Sequence, residues 1–248
     1  MLGVQHITTG KCSALASECI RLKSRFLVGL TPFAVDEITA AATPRRALAN
    51  SVLISQGQPA GHLFLLTRGR ARYFFIAENG RKLLLHWLVP GEIFGGAALL
   101  PEPASYIVGT EMVKDGVVLV WGRSSIRRLA EKYPRLLDNA LPIFADYLAM
   151  YVATHVALTC RNARQRLAEV LVTLAHAIGY ATRDGIELDV TNEELANASN
   201  VTIFTASRLL NEWQRRGALA KSRGKLLIRS PERLFMPEVG SKSRIHSS

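Results

Sequence analysis

A glycine-rich segment, GEIFGGAALLPEPASY at residues 91–106, has the composition of a phosphate-binding loop. Its glycines would let backbone N–H groups approach an anion closely, and Ser105 would add a hydroxyl donor. The segment contains no lysine or arginine, however. A buried phosphate is normally stabilised by charge-assisted hydrogen bonds to a cationic side chain. A phosphate site here would need an arginine from a neighbouring strand, and Arg70, Arg72 and Arg81 are the candidates.

A second group of residues with functional chemistry lies between positions 208 and 229. This segment contains seven basic residues and one acidic residue, Glu212. The basic residues are Arg208, Arg215, Arg216, Lys221, Arg223, Lys225 and Arg229. Their net charge of +6 is more than half of the +11 carried by all 248 residues. Such a segment predicts a polyanionic partner, nucleic acid foremost, with ribosomal and membrane surfaces as alternatives.

Residues for catalysis or metal binding are sparse. The sequence has no local Ser/His/acid set, no paired acidic residues in one loop, and no HExxH or Walker motif, so we expect neither an enzyme nor a metal site. Cys12, Cys19 and Cys160 form no CxxC pair and cannot all pair, which indicates a reducing compartment. No signal peptide and no run of about 18 apolar residues is present. We therefore expect a cytoplasmic protein with no membrane partner.

Short β-rich runs separated by glycine turns occupy residues 45–121, and the ENG at 78–80 is the clearest hairpin turn. This pattern predicts an antiparallel sandwich or roll. A short amphipathic helix follows, with Ser124 or Ser125 as its N-cap. The residue pattern then predicts a long helix from about Leu136 towards Thr159, with Pro142 near its start.

The long helix carries apolar residues at heptad spacing. They are Leu137, Leu141, Phe144, Leu148, Tyr151, His155 and Leu158. This stripe could pack on the chain's own domain, but it continues further than a roll would need. We favour a parallel dimer along this helix, in which protonation of His155 could loosen the interface.

The last block has the signals of two short helices and a hairpin. Thr191 and Glu194 form a capping box, Thr202 caps the second helix, and Gly217 ends it. Two helices joined by a tight turn at Asn200–Val201 constitute a helix-turn-helix, whose second helix enters the major groove of DNA. The alternative is a winged helical domain that contacts protein.

Taken in order, the roll, the long helix and the segment TNEELANASNVTIFTASRLL resemble the CRP/FNR family of bacterial transcription regulators over residues 25–235. The resemblance implies an α+β fold: an antiparallel β-roll like that of cyclic-nucleotide-binding domains, a dimerisation helix and a winged helix-turn-helix. The expected domains are an N-terminal extension (1–24), the roll (25–134), the helix (135–160), the DNA-binding domain (161–236) and a tail (237–248). The implied function is dimeric, sequence-specific transcription regulation, with RNA polymerase as a further partner. The alternative is a small-molecule-binding regulatory module whose C-terminal domain contacts protein.

The resemblance also assigns roles at the DNA. Residues expected to meet bases are Ile203, Phe204, Ser207 and Arg208. Residues expected to contact phosphates are Thr191, Thr202, Thr205, Lys221, Arg223 and Lys225. Arg208 can bind the O6 and N7 atoms of guanine, whereas Phe204 stands where many members have a glutamate and could instead pack on a thymine methyl group. Phe204 could alternatively turn inward as core.

For the effector pocket, the resemblance points to Gly95, Gly96, Ala97, Ala104, Ser105 and Tyr151. The family's ribose-binding glutamate falls on Gly96 and its phosphate-binding Arg-Ser pair on Ala104 and Ser105, so only the serine remains. Cyclic AMP is therefore disfavoured, and the pocket would take an apolar or planar ligand or be filled by side chains. An iron–sulfur cluster is disfavoured because no cysteine lies in the roll. Haem is also disfavoured, with His86 and His155 as the candidate axial ligands.

Overall fold

The computed structural model describes residues 24–222 and 225–236. The chain divides into two compact units, with the boundary between Ala153 and Thr154. Residues 1–23, 223–224 and 237–248 lie outside the described residues. They include Cys12, Cys19 and the expected phosphate contact Arg223.

Helix α1 (Pro32–Ala40) precedes the sheet of the first unit, and Thr31 caps it by accepting a hydrogen bond from the Ala34 backbone N–H at 3.2 Å. A six-stranded antiparallel sheet follows within the described residues, in the order β1-β6-β3-β4 with β2 paired to β6 and β5 to β3. Its strands are β1 (Thr43–Ala47), β2 (Val52–Ile54), β3 (His62–Ile76), β4 (Lys82–Leu88), β5 (Ile93–Phe94) and β6 (Gly109–Gly122). The predicted antiparallel roll is confirmed.

Strands β3 and β6 are buried on both faces. Leu63 pairs with Trp121 and Leu65 with Leu119, and all four side chains enter one apolar cluster. The intervening residues Phe64 and Leu66 point to the other face and enter a second cluster. Alternation of side chains along an extended strand explains how one strand serves two cores.

Two helices complete the first unit. Helix α2 (Arg123–Lys132) starts directly after β6, with Gly122 as its N-cap residue instead of the expected Ser124 or Ser125. The long helix α3 (Arg135–Cys160) contains Pro142 in its second turn and extends past the boundary between the units. Its inward residues Leu136, Ala140 and Ile143 are buried in the cluster that contains Trp121.

By length and composition alone, α3 is also long and apolar enough to cross a membrane. The helix passes this measure although it contains no unbroken run of about 18 apolar residues. A long stretch that includes a few polar residues still passes. Only 6% of that stretch is buried, so few of its side chains are covered by residues 24–222 and 225–236.

The second unit combines helices with a four-stranded antiparallel sheet in the order β7-β8-β10-β9, counted over the described ranges. Helix α4 (Ala163–Ile178) begins at Asn162, which forms a capping box with Gln165. The remaining elements are β7 (Tyr180–Thr182), β8 (Gly185–Leu188), α5 (Asn192–Ala198), α6 (Ile203–Arg215), β9 (Leu219–Ser222), β10 (Lys225–Ile228) and α7 (Pro231–Leu234). The chain therefore has the predicted α+β fold.

The ladder between β3 and β6 requires glycine at Gly69. Its φ is +92°, and a Cβ there would lie 2.7 Å from the Asp115 carbonyl oxygen. We expect Gly69→Ala to lower the free energy of unfolding by about 1–3 kcal/mol, because it adds both backbone strain and overlap. Urea unfolding measures this.

Gly61→Ala is the matched control, because Gly61 has no positive φ and the atom nearest to the added Cβ, the Pro59 carbonyl oxygen, lies 4.0 Å away. It should change the free energy of unfolding by less than about 0.5 kcal/mol. Equal effects of the two substitutions would contradict this account of Gly69.

Candidate nucleic-acid interface and effector pocket

The turn between α5 and α6 is set by one left-handed residue. Asn200 has a φ of +49°, a conformation that asparagine adopts more readily than most residues. The Val201 N–H then donates to the Ala196 carbonyl at 3.0 Å. The buried Ser199 hydroxyl donates to the Leu195 carbonyl at 2.6 Å, which ends α5. This is the tight turn that the sequence predicted.

Arg166 of α4 fixes that turn from the side. Its Nε donates to the Ser199 carbonyl at 3.0 Å and its Nη2 to the Asn200 carbonyl at 3.2 Å. These bonds satisfy carbonyls at the end of α5 that have no helical partner. Sequence reasoning missed Arg166, because a single arginine on a helix gives no signal of which distant carbonyls it will reach.

Both helices have the predicted N-caps. Thr191 Oγ1 accepts from the Glu194 N–H at 3.1 Å, and the Glu194 carboxylate accepts from the Thr191 N–H at 2.8 Å. Thr202 Oγ1 accepts from the Thr205 N–H at 3.1 Å. The Thr202 and Thr205 hydroxyls also lie 2.9 Å apart, so both are at the N-terminus of α6.

Helix α6 has one buried and one exposed face. Its buried residues are Ala206, Leu209, Leu210, Glu212 and Trp213. Phe204, Arg208, Asn211 and Arg215 are exposed at spacings that place them along one face of the helix. Phe204 is 79% exposed and Ile203 is 53% exposed, so the alternative in which Phe204 turns inward is wrong. Ser207 is half-buried beside this face.

The hairpin of β9 and β10 carries two of the predicted phosphate contacts. Lys221 Nζ donates to Asn211 Oδ1 at 2.8 Å, and burial lowers the pKa of this lysine. Lys225 Nζ forms an ion pair with Glu187 Oε1 at 2.6 Å, which raises the pKa of Lys225. Both ammonium groups therefore have protein partners, which a phosphate would have to share or displace.

Arg216 of the basic segment is also partnered within the protein, because its Nη2 lies 3.2 Å from the Glu212 carboxylate. Arg164 of α4 pairs with the same carboxylate and stands 5.5 Å from the centre of the Trp213 ring. Glu212 of α6 therefore binds Arg164 of α4 and also Arg216 at the C-terminus of its own helix.

In the first unit, five of the six expected pocket residues lie in the segment that connects β5 to β6, and the sixth, Tyr151, lies on α3. Gly95 has a φ of +78°, and a Cβ there would come within 2.7 Å of the His62 carbonyl oxygen. The Ala104 carbonyl accepts from the Ala60 N–H at 2.8 Å, and Ser105 forms an isolated bridge with Pro59. Ser105 is exposed, and Ala97 packs against the second apolar cluster.

Gly96 faces the ring of Phe144 from α3. A Cβ built on Gly96 would lie 2.3 Å from Phe144 Cζ and 2.5 Å from Cε1. Contacts under 3.0 Å essentially never occur at real Cβ atoms, so no larger residue fits at position 96 while the ring stays in place. The space beside the expected glutamate position is thus filled by an aromatic side chain.

Two arginines of α2 hold the same segment. The Arg123 guanidinium donates to the carbonyls of Ala98, Leu100 and Pro101 at 2.8–3.1 Å. Arg127 Nη1 donates to the Leu99 carbonyl at 3.1 Å. The amino-acid sequence gives no signal for this role, because the carbonyls belong to irregular backbone.

The arginines considered as phosphate partners have protein contacts. Arg72 Nε donates to Glu111 Oε1 at 2.7 Å, and Lys82 contacts the same carboxylate. The Arg70 guanidinium lies 4.7 Å from the centre of the Trp87 ring and is buried.

A cavity of about 340 Å³ opens between the β4–β5 region and α3. Its lining residues are Arg25, His86, Pro90, Gly91, Glu92, Ile93, Ile143, Asp146, Tyr147 and Met150. None of the six expected pocket residues is among them. Arg25 and Asp146 form an ion pair at 2.6 Å, and His86 Nε2 lies 3.8 Å from Glu92 Oε1.

An aromatic group borders this cavity. The Tyr147 ring packs edge-on against His86 at 5.3 Å and against Tyr73 at 5.8 Å. Burial raises the pKa values of Tyr73 and Tyr147 well above that of a free tyrosine, and burial also raises the pKa of Tyr151. All three phenols therefore stay protonated at neutral pH.

Helix α3 carries two apolar stripes where the sequence suggested one. The inward stripe includes Tyr147 and also Phe144, which the heptad count had placed in the dimer seam. Tyr151 is likewise half-buried. The exposed apolar residues are Leu137, Leu141, Leu148, Val152, Val156 and Leu158. Phe144 departs from the expected face because Gly96 leaves room for its ring.

The two candidate histidines and Cys160 lie apart from one another. His155 and Cys160 are exposed on α3, whereas His86 lies in the aromatic group of the roll. Among residues 24–222 and 225–236, no three His, Cys, Asp or Glu side chains are grouped to hold a metal ion.

Comparison with known proteins decides the family. A family described as "Cyclic nucleotide-binding domain" matches residues 44–133, and one described as "Crp-like helix-turn-helix domain" matches residues 165–235. The chain belongs to the CRP/FNR family of transcription regulators. It is a regulator with a helix-turn-helix DNA-binding domain and a sensing domain like those that bind cyclic nucleotides.

Relatives of this CRP/FNR regulator span most of its length. The transcriptional regulator LdrP of Thermus thermophilus is 28% identical over 71% of this chain and 87% of its own. A CRP-like cAMP-activated global transcriptional regulator of Mycobacterium tuberculosis is 23% identical, covering 83% and 92%. The crystal structure of TTHB099, a CRP-family regulator of Thermus thermophilus, has a TM-score of 0.64 and 25% identity, covering 76% and 93%.

The turn at Asn200 is testable in this regulator. Asn200→Val should lower the free energy of unfolding by about 1–3 kcal/mol, because a β-branched residue is strained at positive φ. Asn200→Gly should stay within about 1 kcal/mol of the unchanged protein. Thermal unfolding of both variants checks this, and a valine variant as stable as the glycine variant would contradict the role of the left-handed turn.

Proposed function

We propose that this regulator is a cytoplasmic, non-enzymatic homodimer that binds a palindromic DNA site through α6. When it is bound to that site, it contacts RNA polymerase. The observation that carries the proposal is the exposed face of α6. It presents Phe204, Arg208, Asn211 and Arg215 beside a helix N-terminus whose Thr202 and Thr205 hydroxyls are available to phosphates.

Arg208 is the residue proposed to read sequence. Its guanidinium lies in the second turn of the helix on the exposed face, where it can form two parallel hydrogen bonds to guanine O6 and N7. Ser207 and Ile203 flank it. Lys221, Lys225, Arg223 and Thr191 supply the phosphate contacts in this proposal, and these position the protein without reading sequence.

Phe204 is proposed to alter the preferred site. A phenyl ring cannot accept a hydrogen bond from cytosine N4 as a carboxylate does. Its 79% exposed ring would instead pack on a thymine methyl group. The preferred half-site would then differ from that of family members with glutamate at this position.

Membership of the CRP/FNR family does not specify which signal the roll senses. The M. tuberculosis relative is named as cAMP-activated. This chain has Gly96, Ala104 and Ser105 at the expected cyclic-nucleotide contacts, and Phe144 fills the space at Gly96. We propose that the roll does not respond to cyclic nucleotides, and that cyclic AMP, an iron–sulfur cluster and haem are not its cofactors.

Dimerisation is proposed along the exposed stripe of α3. Leu141 and Leu148 are each 66% exposed and Val152 is 56% exposed, and these apolar residues lie along one line of the helix. A second copy of α3 would cover this stripe by coiled-coil packing. A membrane is the poorer cover, because the first turns of α3 are buried in the core of the roll.

Selection of binding sites from random duplexes tests the function. The protein should recover a palindrome whose half-sites lie about one helical turn apart. Arg208→Ala should remove the sequence preference, a loss of about 1–3 kcal/mol per contacted base pair, and keep salt-dependent nonspecific binding. Electrophoretic mobility shifts at two salt concentrations measure both terms.

A protein that recovers no site from the selection would contradict the DNA-binding proposal and favour a C-terminal domain that contacts protein. Arg161→Ala is the control, because this arginine pairs with Glu169 outside α6. Its sequence preference should match that of the unchanged protein.

The dimer seam is tested by Leu148→Glu. Two buried carboxylates at a coiled-coil seam would repel each other and lose their hydration, so the chain should become monomeric at micromolar concentration. Sedimentation equilibrium measures the mass. Ala153→Glu is the control, because Ala153 is exposed about 140° around the helix from Leu148. A dimeric Leu148→Glu variant would refute this seam.

A further inference from the structure

Steric overlap with the Phe144 ring, and not backbone conformation, restricts position 96 to glycine. Gly96 does not have a positive φ, unlike its neighbour Gly95 at +78°. Backbone conformation therefore does not require glycine at position 96. The requirement comes from the ring of Phe144, because a single added methyl carbon would lie 2.3 Å from its Cζ.

The segment that receives the ring is held in place. Arg123 and Arg127 together donate to the carbonyls of four successive residues, 98–101. Phe144 also packs against the buried cluster that contains Ala98 and Leu99 of this segment. The ring thus sits on a fixed surface of the domain that matches the cyclic-nucleotide-binding family.

Phe144 is also part of the element that leaves the roll. Helix α3 is continuous from Arg135 to Cys160 and passes the boundary between the two units at Ala153. A side chain that fixes the first half of α3 on the roll therefore constrains a helix that ends in the unit with the DNA-binding domain.

We propose that Phe144 is a built-in occupant of the effector site. Its ring takes the space over Gly96, excludes a nucleotide from it, and holds α3 on the roll without any ligand. Phe144 is thus the residue that determines the ligand specificity of the site. The vacated space would accept a small apolar aromatic molecule. This inference rests on the proposed DNA binding, which supplies its readout.

Chemical rescue of Phe144→Ala tests the proposal. Removing the ring leaves an apolar cavity, and such cavities can bind benzene. The variant should bind the selected duplex roughly 5- to 150-fold more weakly, the usual range of coupling between two sites. Millimolar benzene should restore the affinity of the variant and leave that of the unchanged protein as it was, both measured by fluorescence anisotropy.

Phe74→Ala is the matched control. The Phe74 ring lies equally close to a glycine, with its Cζ 2.3 Å from the Cβ position of Gly109, but it belongs to strand β3. Benzene should raise the melting temperature of both variants and change the DNA affinity of Phe144→Ala alone. A Phe144→Ala variant whose DNA affinity is normal, or is insensitive to benzene, would overturn the proposal.

If the Phe144→Ala variant folds poorly, two milder substitutions test the same proposal. Phe144→Leu shortens the side chain and should weaken DNA binding by a smaller factor. Gly96→Ala should weaken it in the unchanged protein, because the methyl group displaces the ring, and have little further effect beside Phe144→Leu. Additive effects of the two substitutions would overturn the proposal. Loss of DNA binding by the unchanged protein itself would instead contradict the proposed function.

Discussion

The pairing of β3 with β6 constrains the rest of the first unit, because both faces of these strands are buried. Leu63 and Leu65 pack with Trp121 and Leu119 on the face covered by α1, α2 and the start of α3. Phe64 and Leu66 face the interior of the roll. A register slip of one residue would exchange the two sets of side chains, so the ladder fixes which residues meet α3.

Helix α3 has to satisfy two apolar surfaces at once. Its inward side chains complete the core of the roll, whereas Leu141, Leu148 and Val152 remain exposed. The inward stripe fixes the rotation of the helix about its axis, and that rotation decides which residues are presented to a partner. The proposed dimer seam is thus a consequence of how Phe144 and Tyr147 pack.

The sequence predicted the elements whose signals are local. Thr191, Thr202 and Gly217 delimit the two helices of the DNA-binding motif by hydrogen bonds within a few residues, and all three were identified correctly. The exposed face of α6 follows from its period. These features depend on neighbouring residues, which a single sequence displays directly.

The contacts that sequence reasoning missed are long-range. Arg166 binds carbonyls 33 and 34 residues away, and Arg123 binds carbonyls 22–25 residues away. The assignment of Phe144 failed for the same reason, because heptad spacing cannot distinguish two adjacent stripes on one helix. The position of Gly96 opposite the Phe144 ring shows that Phe144 belongs to the inward stripe.

The tight fit of Phe144 on Gly96 also bears on how such a regulator could change over evolutionary time. An acidic residue at position 96 would collide with the ring, and a small residue at position 144 would leave a void, so either change alone is harmful. The two positions are therefore coupled through packing, and a larger residue at position 96 requires a smaller one at position 144.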